Sequence, residues 1–186
     1  MQNCLGIYIE NNLIKYAKVS KDRDTFKVDA FGIRFFDNLN EAIKKIVEET
    51  YSFTTPISIN LANEQYLYYD IFALLSKNDI QKTVETEFET FCDENKYNQK
   101  AFETRYALVS NVQNKERIKA IQVIVNKIEL NKQKQYLEKH NLSGILPIGT
   151  AIASITRFEK KENVLIVNME EKTTITTIYD RQIYNV

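Results

Sequence analysis

Two short hairpin tips carry the residue types that could handle a phosphate. Glu10-Asn11-Asn12 lies between two extended runs, with Lys15 three residues on, and Glu170-Glu171-Lys172 precedes Thr173 and Thr174. Amide, ammonium and hydroxyl donors at a strand turn suit phosphate oxygens. The same residues are ordinary turn chemistry, because asparagine tolerates the left-handed backbone and charges favour a solvated tip, and that reading outweighs a working phosphate site at both loops. His140 has no cysteine or second histidine nearby and stands where a helix should end, so free carbonyls are its natural company. The run Glu85, Glu87, Glu89, Asp93 and Glu94 spreads around a helix and reads as a solvated face. A different signal is the tyrosine-rich strand Tyr66, Leu67, Tyr68, Tyr69, Ile71, Phe72. Alternation buries one side of it, and Tyr66 and Tyr68 on the other side are either packed within a small lobe or aromatic anchors for a partner.

Bulk properties narrow the classes. The chain has 186 residues and 44% hydrophobic content, enough for one domain or two small lobes around a real core. Its 25 Lys+Arg balance 25 Asp+Glu, so no overall field recommends nucleic acid or an anionic membrane. The glycines Gly6, Gly32, Gly144 and Gly149 fit no phosphate-loop spacing. Cys4 and Cys92 lack metal, redox or disulfide spacing and read as reduced, buried thiols of a cytosolic protein. The longest apolar run, Ile71 to Leu75, is far short of the roughly 20 residues of a membrane span, and the N-terminus lacks a signal-peptide layout.

The elements that must position these residues follow from periodicity. Leu5, Ile7 and Ile9 alternate as a strand, Leu13 to Val19 and Thr25 to Phe36 give two more, and Ser20 to Asp24 makes the turn between them. Asn38 with Glu41 caps a helix carrying Leu39, Ala42, Ile43, Ile46, Val47 and Tyr51. Ile57 to Leu61 is a fourth strand. Gln65 to Phe72 opens a second block, with a helix capped by Ser76 (Ile80, Val84, Phe88, Phe91, Cys92), strands at Ala101 to Ser110 and Arg117 to Val125, and a helix from Asn126 to near His140. Ile145 to Pro147 is then a strand, Thr150 to Phe158 a helix, Glu159 to Glu162 a charged connector, and Val164 to Met169, Thr173 to Tyr179 and Gln182 to Val186 strands.

Three segments, in order, resemble the PilM family of actin-like proteins of type IV pilus assembly, relatives of the division protein FtsA. Leu5-Gly6-Ile7-Tyr8-Ile9-Glu10-Asn11-Asn12-Leu13-Ile14-Lys15 is similar to the family's first phosphate hairpin, written LGIDIGSSSIK. Ala120 to Val125, the helix after it and Leu142-Ser143-Gly144-Ile145 resemble its strand, helix and return strand. Val164 to Thr174 resembles its second phosphate hairpin, VLIDIGSSTT. The resemblance implies an α/β fold with an actin-like (ribonuclease H-like) core at 1–61 and 143–158, an inserted α+β lobe at 62–142, and the start of an incomplete second lobe at 163–186. Ribonuclease H-type nucleases share a related core but need clustered carboxylates on strands, and the first strand offers only Glu10.

The departures fall where the family handles nucleotide. Its Asp and Gly are replaced by Tyr8 and Glu10 in the first hairpin and by Asn168 and Glu170 in the second. Each change opposes ATP, since a carboxylate that would organise metal-bound water is lost and a side chain enters where the backbone must approach phosphate. Asn11, Lys15, Thr173 and Thr174 are the retained phosphate-contacting types. The expectation is a pseudo-ATPase without cofactor, with Mg-ATP an option only where a complete second lobe exists. By resemblance it is a cytoplasmic scaffold held at the inner membrane by partners, in a pilus, competence or type II secretion assembly. The cytoplasmic domain of the type II secretion L component resembles the same fold. The partner is a peptide of a membrane-anchored protein, seated between inserted lobe and core near Tyr66, Tyr68 and Phe72. A homodimer through the Gln182 to Val186 edge is also expected. The alternative is the N-terminal part of an active actin-like ATPase.

Overall fold

The computed structural model describes residues 2–23, 25–111, 114–154, 162–169 and 173–186. In chain order they form β1 (Gln2–Glu10), β2 (Leu13–Asp22), β3 (Thr25–Phe35), α1 (Leu39–Glu49), β4 (Ile57–Asn60), β5 (Gln65–Phe72), α2 (Lys77–Glu94), β6 (Phe102–Ser110), β7 (Arg117–Asn126), α3 (Lys127–Tyr136), β8 (Leu142–Leu146), α4 (Ile148–Ala153), β9 (Val164–Asn168), β10 (Thr174–Tyr179) and β11 (Gln182–Asn185). The chain divides into two compact units, residues 1–61 with 130–146, and residues 62–129 with 147–186.

The first unit is a five-stranded mixed sheet in the order β3-β2-β1-β4-β8. β1, β2 and β3 are antiparallel, and β4 joins β1 in parallel with Leu5 opposite Ile57. β8 continues the parallel half, Ile59 opposite Ile145. Alternation sends Leu5, Ile7 and Ile14 to the face where α1 lays Ala42, Ile43, Ile46 and Val47, and Ile57, Ile59 and Leu137 complete that core. The Asn38 side chain accepts the Glu41 amide at 3.3 Å and starts α1. One irregularity has a large effect on the sheet edge. Ala30 pairs with Lys18 but Val28 with Val19, so Asp29 is an extra residue in β3 and the side-chain alternation shifts by one there.

The second unit has two three-stranded sheets, β5-β7-β6 and β11-β10-β9, both antiparallel. α2, capped by the Ser76 hydroxyl on the Asp79 amide, covers one face of the first sheet. There Ile80 and Val84 meet Ile71 and Ala120, and Phe88 and Cys92 meet Ile124. Thr176 and Ile178 are the buried side chains of β10. Asp180 and Arg181, at φ 48° and 61°, supply the two left-handed residues of a tight hairpin between β10 and β11.

The units divide the chain differently from the expected boundaries. Residues 130–142 go with the core sheet and not with the insert, because Leu137 is buried in that core and the Gln133 side chain donates to the Asn60 carbonyl at 3.0 Å. Residues 147–186 pack with the insert. Tyr51 is not on the buried face of α1. The helix ends at Glu49, and Tyr51 turns left-handed (φ 50°) and stands 82% exposed. β8 starts at Leu142, ahead of the expected Ile145, because the Ile57 amide donates to the Asn141 carbonyl and begins the parallel ladder there. α4 starts at Ile148, ahead of Thr150. Cys92 is buried, whereas Cys4 is only half-buried, with its thiol 3.8 Å from the Ser58 hydroxyl. The expected helix residues 155–158, most of the charged connector, and Glu170 to Lys172 lie outside the described residues.

Candidate functional site

The first hairpin is closed by Asn11 in the left-handed region (φ 48°), and the Phe36 amide donates to the Asn12 carbonyl at 2.9 Å. Because Ile7 and Ile14 turn to α1, the neighbours Tyr8, Glu10 and Lys15 share the opposite face of the sheet. Tyr8 is directly across from Lys15, and Glu10 across from Leu13. The Lys15 ammonium stands 5.7 Å from the centre of the Tyr8 ring, within cation–π range. Two positions singled out in the sequence are thus brought together, with an aromatic ring under the ammonium. Neither tyrosine nor lysine can organise metal-bound water as a carboxylate would.

The second hairpin lies in the other unit. Asn168 is paired across from Thr174 in the β9–β10 ladder, Thr174 is half-buried, and Thr173 is exposed. Among the described residues no group of three or more His, Cys, Asp or Glu is placed to hold a metal ion.

The aromatic strand is where polar groups converge. Leu67, Tyr69 and Ile71 face α2, and Tyr66, Tyr68 and Phe72 take the other face. The Tyr66 hydroxyl donates to the Glu64 carboxylate at 2.5 Å and accepts the Gly149 amide at 3.2 Å. The same carboxylate accepts the Ile148 amide at 2.8 Å, so Glu64 and Tyr66 together satisfy the first free amides of α4. Tyr68 donates to the Val186 carbonyl at 2.7 Å and accepts the Val186 amide at 2.9 Å. Lys119 lies between two rings, 4.7 Å from Tyr68 and 4.1 Å from Tyr184. Phe72 is 58% exposed, with the Arg117 guanidinium 4.7 Å above its ring.

Burial dominates the electrostatics here. It raises the Glu64 carboxyl above its ordinary range, only partly offset by the hydrogen bonds from Tyr66 and the α4 amides. Burial also pushes the Tyr66 phenol up, reinforced by its bond to Glu64, so it stays a donor. The Lys119 ammonium is lowered by burial, against the pull of Asp70. Sequence reasoning missed Glu64, Lys119 and Tyr184. The only local signal was that Glu64 shares the strand face of Tyr66, two residues away.

The chain superposes on the PilM-PilN type IV pilus biogenesis complex with a TM-score of 0.75, at 12% identity, over 97% of its own length and 59% of that chain. The fold is actin-like. The cytoplasmic domain of EpsL, an inner membrane component of the type II secretion system of Vibrio cholerae, superposes with a TM-score of 0.68 at 13% identity. That match covers 99% of this chain and 71% of EpsL's. No protein-family model matches the sequence, and no curated protein does. The actin-like chain is thus similar in structure to components of pilus and secretion machines, and spans about three fifths of the PilM chain. Among the described residues no helix is long and apolar enough to cross a membrane.

Proposed function

We propose that this chain is a non-catalytic scaffold of a pilus, competence or type II secretion assembly, recruited to the inner membrane from the cytoplasmic side by a peptide of a membrane-anchored partner. The observation that carries the pseudo-enzyme part is the first hairpin. Tyr8 stands where the family has a metal-organising carboxylate, Glu10 carries a side chain at the family's glycine position, and Lys15 stands over the Tyr8 ring. The likeness to a PilM-PilN complex and to an inner-membrane secretion component supports the setting.

Titration calorimetry with Mg-ATP tests the reading, with no measurable heat expected. Micromolar affinity abolished by Lys15→Ala would overturn it and favour an actin-like ATPase. The partner peptide is assigned to the aromatic face of β5. Tyr66 and Tyr68 have their hydroxyls engaged within the unit, so Phe72 beside Arg117 is the accessible anchor. Phe72→Ala should weaken peptide binding about thirtyfold, the equivalent of roughly 2 kcal/mol. Unchanged affinity would move the interface elsewhere.

A further inference from the structure

We propose that the outer edge of β3 is a self-association surface, at which two copies of this chain pair antiparallel about Ile33. This does not depend on the partner peptide or on the nucleotide reading. β3 ends the five-stranded sheet, and its eleven residues make an edge of roughly 35 Å. The Phe36 amide bonds to the Asn12 carbonyl, and bonded positions alternate along an antiparallel ladder. Gly32, Arg34 and Phe36 therefore turn their amides to β2, and Phe31, Ile33 and Phe35 turn theirs outward.

The side chains of those three residues stand together on the face opposite α1, 79%, 66% and 74% exposed. The extra residue at Asp29 brings Val28 and Phe26 onto the same face, since they pair with Val19 and Lys21 in the register that follows it. Without that shift the apolar stripe would be split between two faces. Soluble proteins blunt such edges with charge, proline, short strands or bulges, and here the Asp29 bulge defends only the N-terminal half of β3. Between Ala30 and Phe35 the one charge is Arg34, held on the α1 face by Glu49, with both carboxylate oxygens 2.6 Å from the guanidinium. Gly32 leaves room on that inner face for Tyr16, whose hydroxyl would lie 2.6 Å from any added Cβ. From Phe31 to Phe35, beyond the Asp29 bulge, the outer edge is left undefended.

A second copy is the occupant that matches. A two-fold axis at Ile33 sets Phe31 against the second copy's Phe35, and Ile33 against itself, as outward-pointing hydrogen-bonded pairs. The bulge at Asp29 and the strand end at Phe35 limit the seam on both sides. Within the seam Phe31, Ile33 and Phe35 present roughly 450 Å² per copy, so the pair brings about 900 Å² to it, the size of a weak, reversible interface. A weak dimer that forms only at high concentration follows, not an obligate one. The β11 edge expected from the sequence is a poorer candidate, because Tyr68 holds the Val186 amide and carbonyl and Gln182 accepts the Ser110 amide.

Sedimentation equilibrium of the 186-residue chain from one to several hundred micromolar should show the mass doubling. The amides of Phe31, Ile33 and Phe35 should become protected from hydrogen exchange as concentration rises, while those of Gly32 and Arg34 stay protected throughout. Ile33→Pro removes only an outward amide and should leave a folded monomer, as should Ile33→Lys, whereas Ile183→Lys on β11 should still dimerise. A wild type that stays monomeric, concentration-independent exchange at the three outward amides, or dimers that persist in both Ile33 variants would overturn the proposal.

Discussion

Replacing Glu64 tests whether one side chain holds α4 and β5 together. Glu64→Ala takes away the acceptor of the Ile148 amide and of the Tyr66 hydroxyl, both part-buried. A polar group left unpaired in a buried site costs about 1–3 kcal/mol. The half-buried setting places each loss near the lower end, so together they destabilise the second unit by about 2 kcal/mol. In urea that lowers the midpoint by roughly 1 M. Circular dichroism should follow the transition. Hydrogen exchange should place the loss in β5, α4 and β10 and leave β1 and β2 unchanged, which matters because two units need not unfold together. Glu64→Gln keeps one acceptor oxygen and should lose less. The pH dependence has a definite sign. Burial raises the folded carboxyl, so its contribution is fully present below the ordinary carboxyl range and is lost as pH rises through the folded value. As pH rises from the ordinary carboxyl range through the raised folded value, the stability difference should therefore move against glutamate relative to glutamine. A loss under about 0.5 kcal/mol in the alanine variant would refute the bridging role, and the opposite pH slope would refute the dominance of burial over the hydrogen bonds.

Leu137→Ala should destabilise the first unit by about 2–4 kcal/mol in urea unfolding, because the side chain is buried among Ile43, Ile57 and their neighbours. A loss confined to the second unit would assign residues 130–142 to the insert after all. Tyr68→Phe removes the hydroxyl that both donates to and accepts from Val186, so exchange of the Val186 amide should accelerate about tenfold or more, and an unchanged rate would show that the contact is not held in solution. Gly32→Val places a branched side chain against the Tyr16 hydroxyl and should lower thermal stability by about 1–3 kcal/mol, read by calorimetry.

Local patterns made most elements legible. The Ile7, Ile9 and Ile14 alternation, the Asn38 and Ser76 caps, and the helical spacing of Ile80, Val84 and Phe88 all lie within one turn or one strand. Features set by distant partners were not. The extra residue at Asp29 exists only relative to β2, so the strand reading of Thr25 to Phe36 could not show that five apolar side chains share a face. Glu64 satisfies an amide 84 residues away, and its place two residues before Tyr66 gives no hint of that distant partner. Tyr51 has the right spacing for the α1 face, but the helix stops before it. At the candidate site, the residue types at Tyr8 and Lys15 were readable, and their pairing followed once the two-residue hairpin was recognised. The internal bonds of Tyr66 and Tyr68 needed the return of residues 147–186.

The order in which the chain visits its sheet shapes how it can be made. β4 and β8 are parallel neighbours whose paired residues Ile57 and Leu142 lie about 85 positions apart, and closing so long a loop from a disordered state costs entropy that grows with its logarithm. Forming the β5-β7-β6 sheet with α2 first would shorten that loop. A ribosome delivering this chain releases β1 to β4 well before β8, leaving the inner edge of Ile57 and Ile59 open for as long as residues 62–141 take to emerge. Chaperone capture or misassembly of nascent chains should therefore concentrate at β4, a strand that is wholly interior once synthesis is complete.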